Sequence, residues 1–344
     1  MTGKKLLLLG HTGKMGTAIS QVFAEHYEVI GKNSTDFDAL DRQQLEQLLE
    51  ATKPDILINT IAFLGIDLCE EDQERALKLN TMLPRDLANL SERLGFILIH
   101  FSTDAVFPDT KPGTLPGYVE SDKPNPVNIY GLTKSDGDSF VQSHASRYYI
   151  FRVPILFGAA TKEHQFVEKM LKAVREGKKE LRVVDDVISS PSYSVDIAEQ
   201  IMQVLESELP FGLYHLSNAG QGSLFDLMEG IVVRLSLPVT ISKTSFTEFP
   251  SNGKKNTHTP LRSEKIAPLR PWQEALTAYC NTLNLDSAVR SMHLTQPIAS
   301  PGKTEEDLIT NKVTAISPVS PDKSIDCAMH ALPTAESRLK NQEK

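Results

Sequence analysis

Tyr130 and Lys134 stand four residues apart in Tyr130-Gly131-Leu132-Thr133-Lys134, just after the loop Ser121-Asp122-Lys123-Pro124-Asn125-Pro126. On a helix that spacing puts both side chains on one face, one turn apart. A phenol, with a reference pKa of about 10, is a poor acid at neutral pH, but a neighbouring ammonium stabilises the phenolate and lowers that value. Such a pair can hand a proton to a forming alkoxide. The same spacing is common on solvated helix faces, so its meaning depends on what the rest of the chain assembles around it.

A second chemical signal lies near the amino terminus. The run Leu6-Leu7-Leu8-Leu9 has the apolar continuity of a strand buried on both faces of a parallel sheet. Gly10-His11-Thr12-Gly13-Lys14-Met15-Gly16 follows at once, and then Ala18, Ile19, Val22 and Phe23 at helical spacing. Strand, glycine loop and helix together lay a pyrophosphate on a helix amino terminus. Gly10, Thr12, Gly13, Lys14, Met15 and Gly16 are therefore the candidate dinucleotide-binding residues, with the spacing G-x-x-G-x-x-G. The second strand, 27–30, runs into Gly31-Lys32-Asn33-Ser34-Thr35, which offers no acid for a ribose 2′-hydroxyl. Lys32, Asn33 and Ser34 suit a 2′-phosphate instead, which favours NADPH and leaves NADH as the alternative. Residues 36–38 read as a short third strand, with Asp38 placed to accept from an adenine amino group. Asp41 reads as the N-cap of the next helix.

Elements that would position these groups recur along the chain. Strands at 56–58 and 96–101 end in Asn59-Thr60-Ile61-Ala62 and in Ser102-Thr103-Asp104, which sets hydroxyls where a doubly wound sheet opens its ligand crevice. A further strand spans 148–153. Alternating strands and helices from residue 4 to about 160 predict an α/β fold of Rossmann type, a doubly wound parallel sheet. The chain divides into an NAD(P)-binding domain at 1–160, a smaller mixed α/β substrate lobe at 161–285 and a disordered tail at 286–344. The lobe holds helices at 166–175 and 195–206, strands at 182–184 and 212–216, and a basic group, Lys254, Lys255, His258 and Arg262, that is a candidate anion clamp. The tail is rich in Pro, Ser, Thr, Lys and Glu, too polar to offset chain entropy by burial.

Composition narrows the function classes. A net charge of −8 argues against a general nucleic-acid or membrane-surface binder. Cys69, Cys280 and Cys327 are scattered, with neither disulfide nor zinc spacing, and no carboxylate or His cluster has ligand spacing, so no metal is expected. The first apolar run is four residues long, too short for a signal peptide or a span. These features predict a soluble cytoplasmic protein.

In this order, Gly10-x-x-Gly13-x-x-Gly16, Asn59 and Ala62, Ser102-Thr103-Asp104 and Tyr130-x-x-x-Lys134 resemble the extended short-chain dehydrogenase/reductase superfamily. Within it the chain looks most like the dTDP-4-dehydrorhamnose reductase family, through Asp67, Glu70, Asn80, the run 100–107, Arg152, Asp185-Asp186 and Pro271-Trp272. The resemblance runs from about residue 4 to 284. It implies that Tyr130 protonates the 4-keto oxygen of a nucleotide-linked 4-keto-6-deoxysugar while NADPH gives hydride, in surface-polysaccharide synthesis. Lys134 would hold the nicotinamide ribose and lower the Tyr130 pKa, and Thr103 would hydrogen-bond the keto oxygen. Ala62 would join the cofactor site, and Ser102, Asp104, Arg152 and His258 the substrate site; a homodimer stays open. Ala105, Ile155, the run 186–189 and the run 255–258 depart from the family's pattern where sugar or nucleotide would be read. Two other roles fit the same fold: a nucleotide-sugar epimerase or dehydratase that retains NAD, and a non-catalytic NADP-binding subunit like the regulatory β subunit of methionine adenosyltransferase, which 152–158 also resembles.

Overall fold

The computed structural model describes residues 3–109, 117–158 and 165–283. The tail expected at 286–344 lies outside them. The described residues belong to one compact unit.

Five apolar runs become the parallel strands β1 (Lys5–Leu9), β2 (Glu28–Lys32), β3 (Ile56–Asn59), β4 (Ile97–Thr103) and β5 (Tyr148–Val153). With the strand Gly212–His215 they form one six-stranded sheet in the order Gly212–His215, β5, β4, β3, β1, β2. Leu6 to Leu9 are wholly buried because helices cover both faces. The order reverses direction between β1 and β3, which opens the crevice at the carboxyl ends of those strands.

The covering helices are α1 (Lys14–Phe23), α2 (Arg42–Thr52), α3 (Ile66–Glu71), α4 (Gln73–Leu77), α5 (Leu83–Leu94), α6 (Ile129–His144), α7 (Phe166–Arg175), α8 (Ser194–Glu206), α9 (Leu224–Leu235) and α10 (Trp272–Thr282). Asp41 caps α2, accepting from the Gln43 and Gln44 N–H groups, as its residue type predicts. Ile197, Ala198 and Ile201 of α8 share a core with Met15, Ala18 and Ile19 of α1. The stretch 194–215, expected in the second lobe, thus supplies the sheet with a sixth strand and a covering helix. The remaining lobe has its own core, in which Phe157, Leu171, Phe225, Trp272 and Tyr279 meet.

One local expectation changes. Residues 36–38 form no strand: Asn33 Oδ1 accepts from Thr35 N (2.7 Å) and Thr35 Oγ1 (2.6 Å), and Asp36 Oδ2 accepts from Asn33 N (2.7 Å). Short polar side chains satisfy the backbone here more cheaply than a strand partner would. Along 73–94, α4, a π-turn at Lys78–Met82 and α5 follow in unbroken succession. The wide turn carries the wholly buried Asn80. Its Oδ1 accepts from Phe63 N (2.8 Å) while its Nδ2 donates to Phe63 O (3.0 Å) and Thr133 Oγ1 (3.2 Å). One amide therefore ties the loop after β3 to α6.

Helix α6 approaches its neighbours at two glycines. A Cβ at Gly131 would lie 2.1 Å from Ala105 O, and one at Gly137 would lie 2.3 Å from Asn80 O. Backbone cannot yield as a side-chain tip can, so Gly131→Ala is expected to cost about 1–3 kcal/mol and to lower the urea midpoint at unchanged m. An unchanged midpoint would show that α6 does not need this contact.

Candidate active site

The loop after β1 and the ends of β3, β4 and β5 converge on a cleft made of two adjoining cavities, about 250 and 580 Å³ in volume, that share Gly13, Lys14, Thr60, Ala62, Leu64 and Gln165. The smaller is floored by Ser102, Thr103, Tyr130 and Lys134. The larger runs past Gly10, Thr12, Asn33, Ser34 and Asp38. Most of the residues singled out by type and spacing therefore meet in one place.

The glycine loop fits a bound dinucleotide. Gly13 is the N-cap of α1 without a side-chain cap, which leaves the first N–H groups of the helix for an anion. Gly16 lets the helix close on the loop, since a Cβ there would lie 2.3 Å from Gly10 O. Met15 is buried beneath the loop. Lys14 is buried too, and its Nζ is drawn away to Leu156 O (2.9 Å) and Glu168 Oε1 (3.1 Å). It pins the loop to α7, and burial lowers its pKa against the pull of Glu168. Lys32 enters through its backbone, whose carbonyl accepts from Gly10 N (2.7 Å). Arg75 of α4, above the Phe63 ring at 5.1 Å, is a cation on the wall of the larger cavity, which Asn33 and Ser34 also line.

The proton-transfer groups stand on α6. Asn128 caps the helix, accepting from Gly131 N (2.8 Å) and donating to Lys254 O (2.9 Å) and Asn256 Oδ1 (2.8 Å). Glu70 Oε1 accepts from Ile129 N (3.0 Å). The first turn is thus fixed from three sides, and it carries Tyr130, which lines the smaller cavity together with Thr103. Burial pushes the phenol pKa up, Thr103 draws it down, and Asp104, Cys69 and Asp138 push it up further.

Lys134 differs from expectation. Its Nζ points beneath the cleft, donating to Phe101 O and lying 3.3 Å from His100 Nε2. Burial lowers its pKa to about 8, with Asp138 opposing the fall. The side chains acting on the Tyr130 phenol are Thr103, Asp104, Cys69 and Asp138.

The substrate-side candidates separate. Ser102 Oγ (2.9 Å) and Arg152 Nε (3.1 Å) both donate to Asp138 Oδ2, so Arg152 forms a buried ion pair. Asp104 is also spent internally, accepting from Ser189 Oγ (2.9 Å), Thr259 Oγ1 (3.0 Å) and Thr103 Oγ1 (3.1 Å). His258 is buried, with its N–H on Asp109 (3.2 Å). The expected anion clamp does not assemble: Lys254 and Lys255 line a cavity with Phe246 and Phe249, whereas Arg262 lines another with His215.

Asp138, His100, Glu70 and Arg75 were not assigned roles from the sequence. Asp138 was within reach, since Tyr130, Lys134 and Asp138 repeat at i, i+4 and i+8. His100 sits in a strand whose burial only the assembled sheet reveals.

The model of the RmlD substrate binding domain matches residues 4–285. The spore coat polysaccharide biosynthesis protein SpsK of Bacillus subtilis (strain 168) is 32% identical over 280 residues, which cover 80% of this chain and 96% of that protein. The dTDP-4-dehydrorhamnose reductase of Escherichia coli (strain K12) is 27% identical over 303 residues, 83% of this chain and 99% of its own. Among solved structures, dTDP-4-dehydrorhamnose reductase from Bacillus anthracis str. Ames in complex with NADP superposes with a TM-score of 0.76 at 26% identity, covering 81% of this chain and 99% of that one.

The lowered pKa of Lys134 has a consequence for stability. Below pH 8 folded and unfolded chains both hold the proton and the burial penalty is complete; from about 8 to about 10.5 the unfolded chain binds more protons, so stability rises with pH. Chemical denaturation of wild type and Lys134→Met across this window is expected to show that rise in wild type alone. Parallel curves would contradict the depressed pKa.

Proposed function

The chain belongs to the RmlD substrate binding domain family, and from that membership and the geometry of the cleft we propose that it reduces the 4-keto group of a nucleotide-linked 4-keto-6-deoxysugar with NADPH, as a dTDP-4-dehydrorhamnose reductase in the cytoplasm. The observation that carries this reading is that Thr103, Tyr130 and Lys134 meet on the floor of the cleft. The N-terminus of α1 with Gly10, Thr12 and Gly13 would hold the pyrophosphate, Asn33, Ser34 and Arg75 the 2′-phosphate end, and Asp38 and Ala62 the adenine end. When bound, NADPH supplies the hydride.

The chain's own residues do the rest. Thr103 and Tyr130 converge on one oxygen, which polarises the carbonyl and orients it. Tyr130 releases its proton as negative charge grows on that oxygen. A phenol raised by burial holds its proton at neutral pH, so it enters the reaction in the form an acid needs. Lys134, still largely charged at neutral pH, places a cation under the cleft where a phenolate would form. An epimerase or dehydratase would keep NAD by its 2′-hydroxyl, and the end of β2 presents Asn33 and Ser34 rather than an acid.

Purified protein is expected to oxidise NADPH in the presence of dTDP-4-dehydrorhamnose. Tyr130→Phe should lower kcat by about 10²–10⁴ and Thr103→Val by about 10²–10³, each with little change in NADPH affinity. Retention of wild-type rates in Tyr130→Phe would instead support a binding role.

The same cleft sets a pH dependence. As pH rises through about 8, Lys134 loses its charge and kcat should fall. A rate that climbs steadily through that range would rule out a charged Lys134 as the working form.

A further inference from the structure

Lys14 and Glu168 form a buried ion pair that the reaction as described leaves without a task. Lys14 opens α1 in the loop that would take the pyrophosphate, and Glu168 stands in the first turn of α7, whose Val167 and Leu171 belong to the core of the second lobe. Lys14 Nζ lies 3.1 Å from Glu168 Oε1 and donates to Leu156 O (2.9 Å). Taking two charges out of water costs as much as their attraction returns, or more, and an apolar pair of similar volume is often at least as stable. Stability alone therefore does not account for the pair.

What the pair spans does account for it. Lys14 lines both cavities of the cleft, whereas Glu168 lines neither. Leu156, whose carbonyl takes the ammonium, lines the smaller cavity with Val153 and Pro154, beside Thr103, Tyr130 and Lys134. One ammonium thus joins the glycine loop to the wall of the reacting centre, and Glu168 supplies the charge that keeps it there. A lysine stem carries about 2 kcal/mol of rotamer entropy that favours its release. A pyrophosphate at the amino end of α1 would compete for the same ammonium as a second anion. Without Glu168, Leu156 O alone would hold Lys14 against that pull.

We infer that Glu168 is a positioning residue for the hydride donor: by holding the Lys14 ammonium on Leu156 O it fixes the spacing between the glycine loop and the segment 153–156, and with it the seat of the nicotinamide end of a bound NADPH. Glu168 acts through Lys14, since it lines neither cavity of the cleft. Its effect on rate rests on the reductase reading, because the seat matters to rate only where the ring gives up hydride; its effect on the mobility of the bound ring does not. A displacement of about 1 Å at the reacting atoms costs about a hundredfold in rate. A contact remote from the chemistry therefore controls turnover while leaving cofactor affinity nearly untouched.

Fluorescence of NADPH bound to the whole protein, without sugar nucleotide, gives the first measurement. Glu168→Gln is expected to lower the anisotropy of the bound nicotinamide at saturation while the NADPH Kd moves by less than about threefold. With dTDP-4-dehydrorhamnose added, single-turnover hydride transfer in the same variant should fall about tenfold or more, with the isotope effect of 4-deuterated NADPH expressed on kcat. The double variant Lys14→Met/Glu168→Leu strands no buried charge, so it keeps the fold and the urea midpoint, yet its ring should stay mobile and its hydride transfer slow. Wild-type anisotropy and rate in the double variant would overturn the positioning role and leave the pair a packing contact. An NADPH Kd that rises enough to account for the lost rate would overturn it as well. Wild-type protein that holds the ring but transfers no hydride would overturn the reductase reading, and the anisotropy comparison would still decide the role of Glu168.

Discussion

A cation buried between α6 and β4 is the constraint on which the rest of the structure depends. Lys134 is 2% exposed, and an isolated ammonium in such surroundings would lose its proton or unfold the site. It is kept by Phe101 O, by the neutral ring of His100 and by the charge of Asp138, which is in turn held by Arg152 and Ser102. Each of these groups comes from β4, β5 or α6. The polar network fixes how the helix sits on the sheet, a matter that apolar packing alone decides loosely.

That registration decides the catalytic geometry. Tyr130 lies one turn from Lys134, so anchoring the lysine sets the phenol, and the caps from Asn128 and Glu70 hold the turn in between. Gly131 and Gly137 allow the close approach that lets Thr103, at the end of β4, meet Tyr130 at all. The loop at 254–256 reaches the same helix end through Asn128, so a segment distant in sequence is coupled to the turn that carries Tyr130. Lys14 makes a parallel link on the cofactor side, where its pairing with Glu168 ties the phosphate loop to α7.

How much of this was legible in the sequence follows from how local each signal is. Leu6 to Leu9, the glycine loop, Ser102-Thr103-Asp104 and Tyr130-x-x-x-Lys134 each carry meaning within a few residues, and the cleft assembles from them. The placement of 194–215 was not legible, because whether a strand joins a large sheet or a small one depends on a free edge on β5 that no local pattern encodes. The reach of Lys134 was misread for a related reason. Helical spacing gives the face of a residue, whereas the partners of a long side chain come from other strands. Arg152 and Asp104, which the resemblance places at the substrate, have internal partners as well, and only the assembled sheet and lobe reveal those.

The same reasoning explains why the reducing end of the cleft is better defined than the nucleotide end. Chemistry at a carbonyl needs a proton donor, a second hydrogen bond and a cation within one side chain's reach, so few residues specify it. Nucleotide recognition spreads over loops, and here those loops hold Ala105, which is buried against Gly131, and Ile155, which packs on the core of the second lobe. Ile188 is engaged through its backbone with Thr257 and Thr259. At these positions small or apolar side chains serve packing, whereas Phe246, Phe249, Lys254 and Lys255 surround a separate cavity of about 420 Å³. Aromatic faces and ammonium groups bind bases and phosphates with little demand on geometry. A site of that kind tolerates exchange of its residues, which is why its sequence signal is weak while that of Tyr130 and Lys134 is strong.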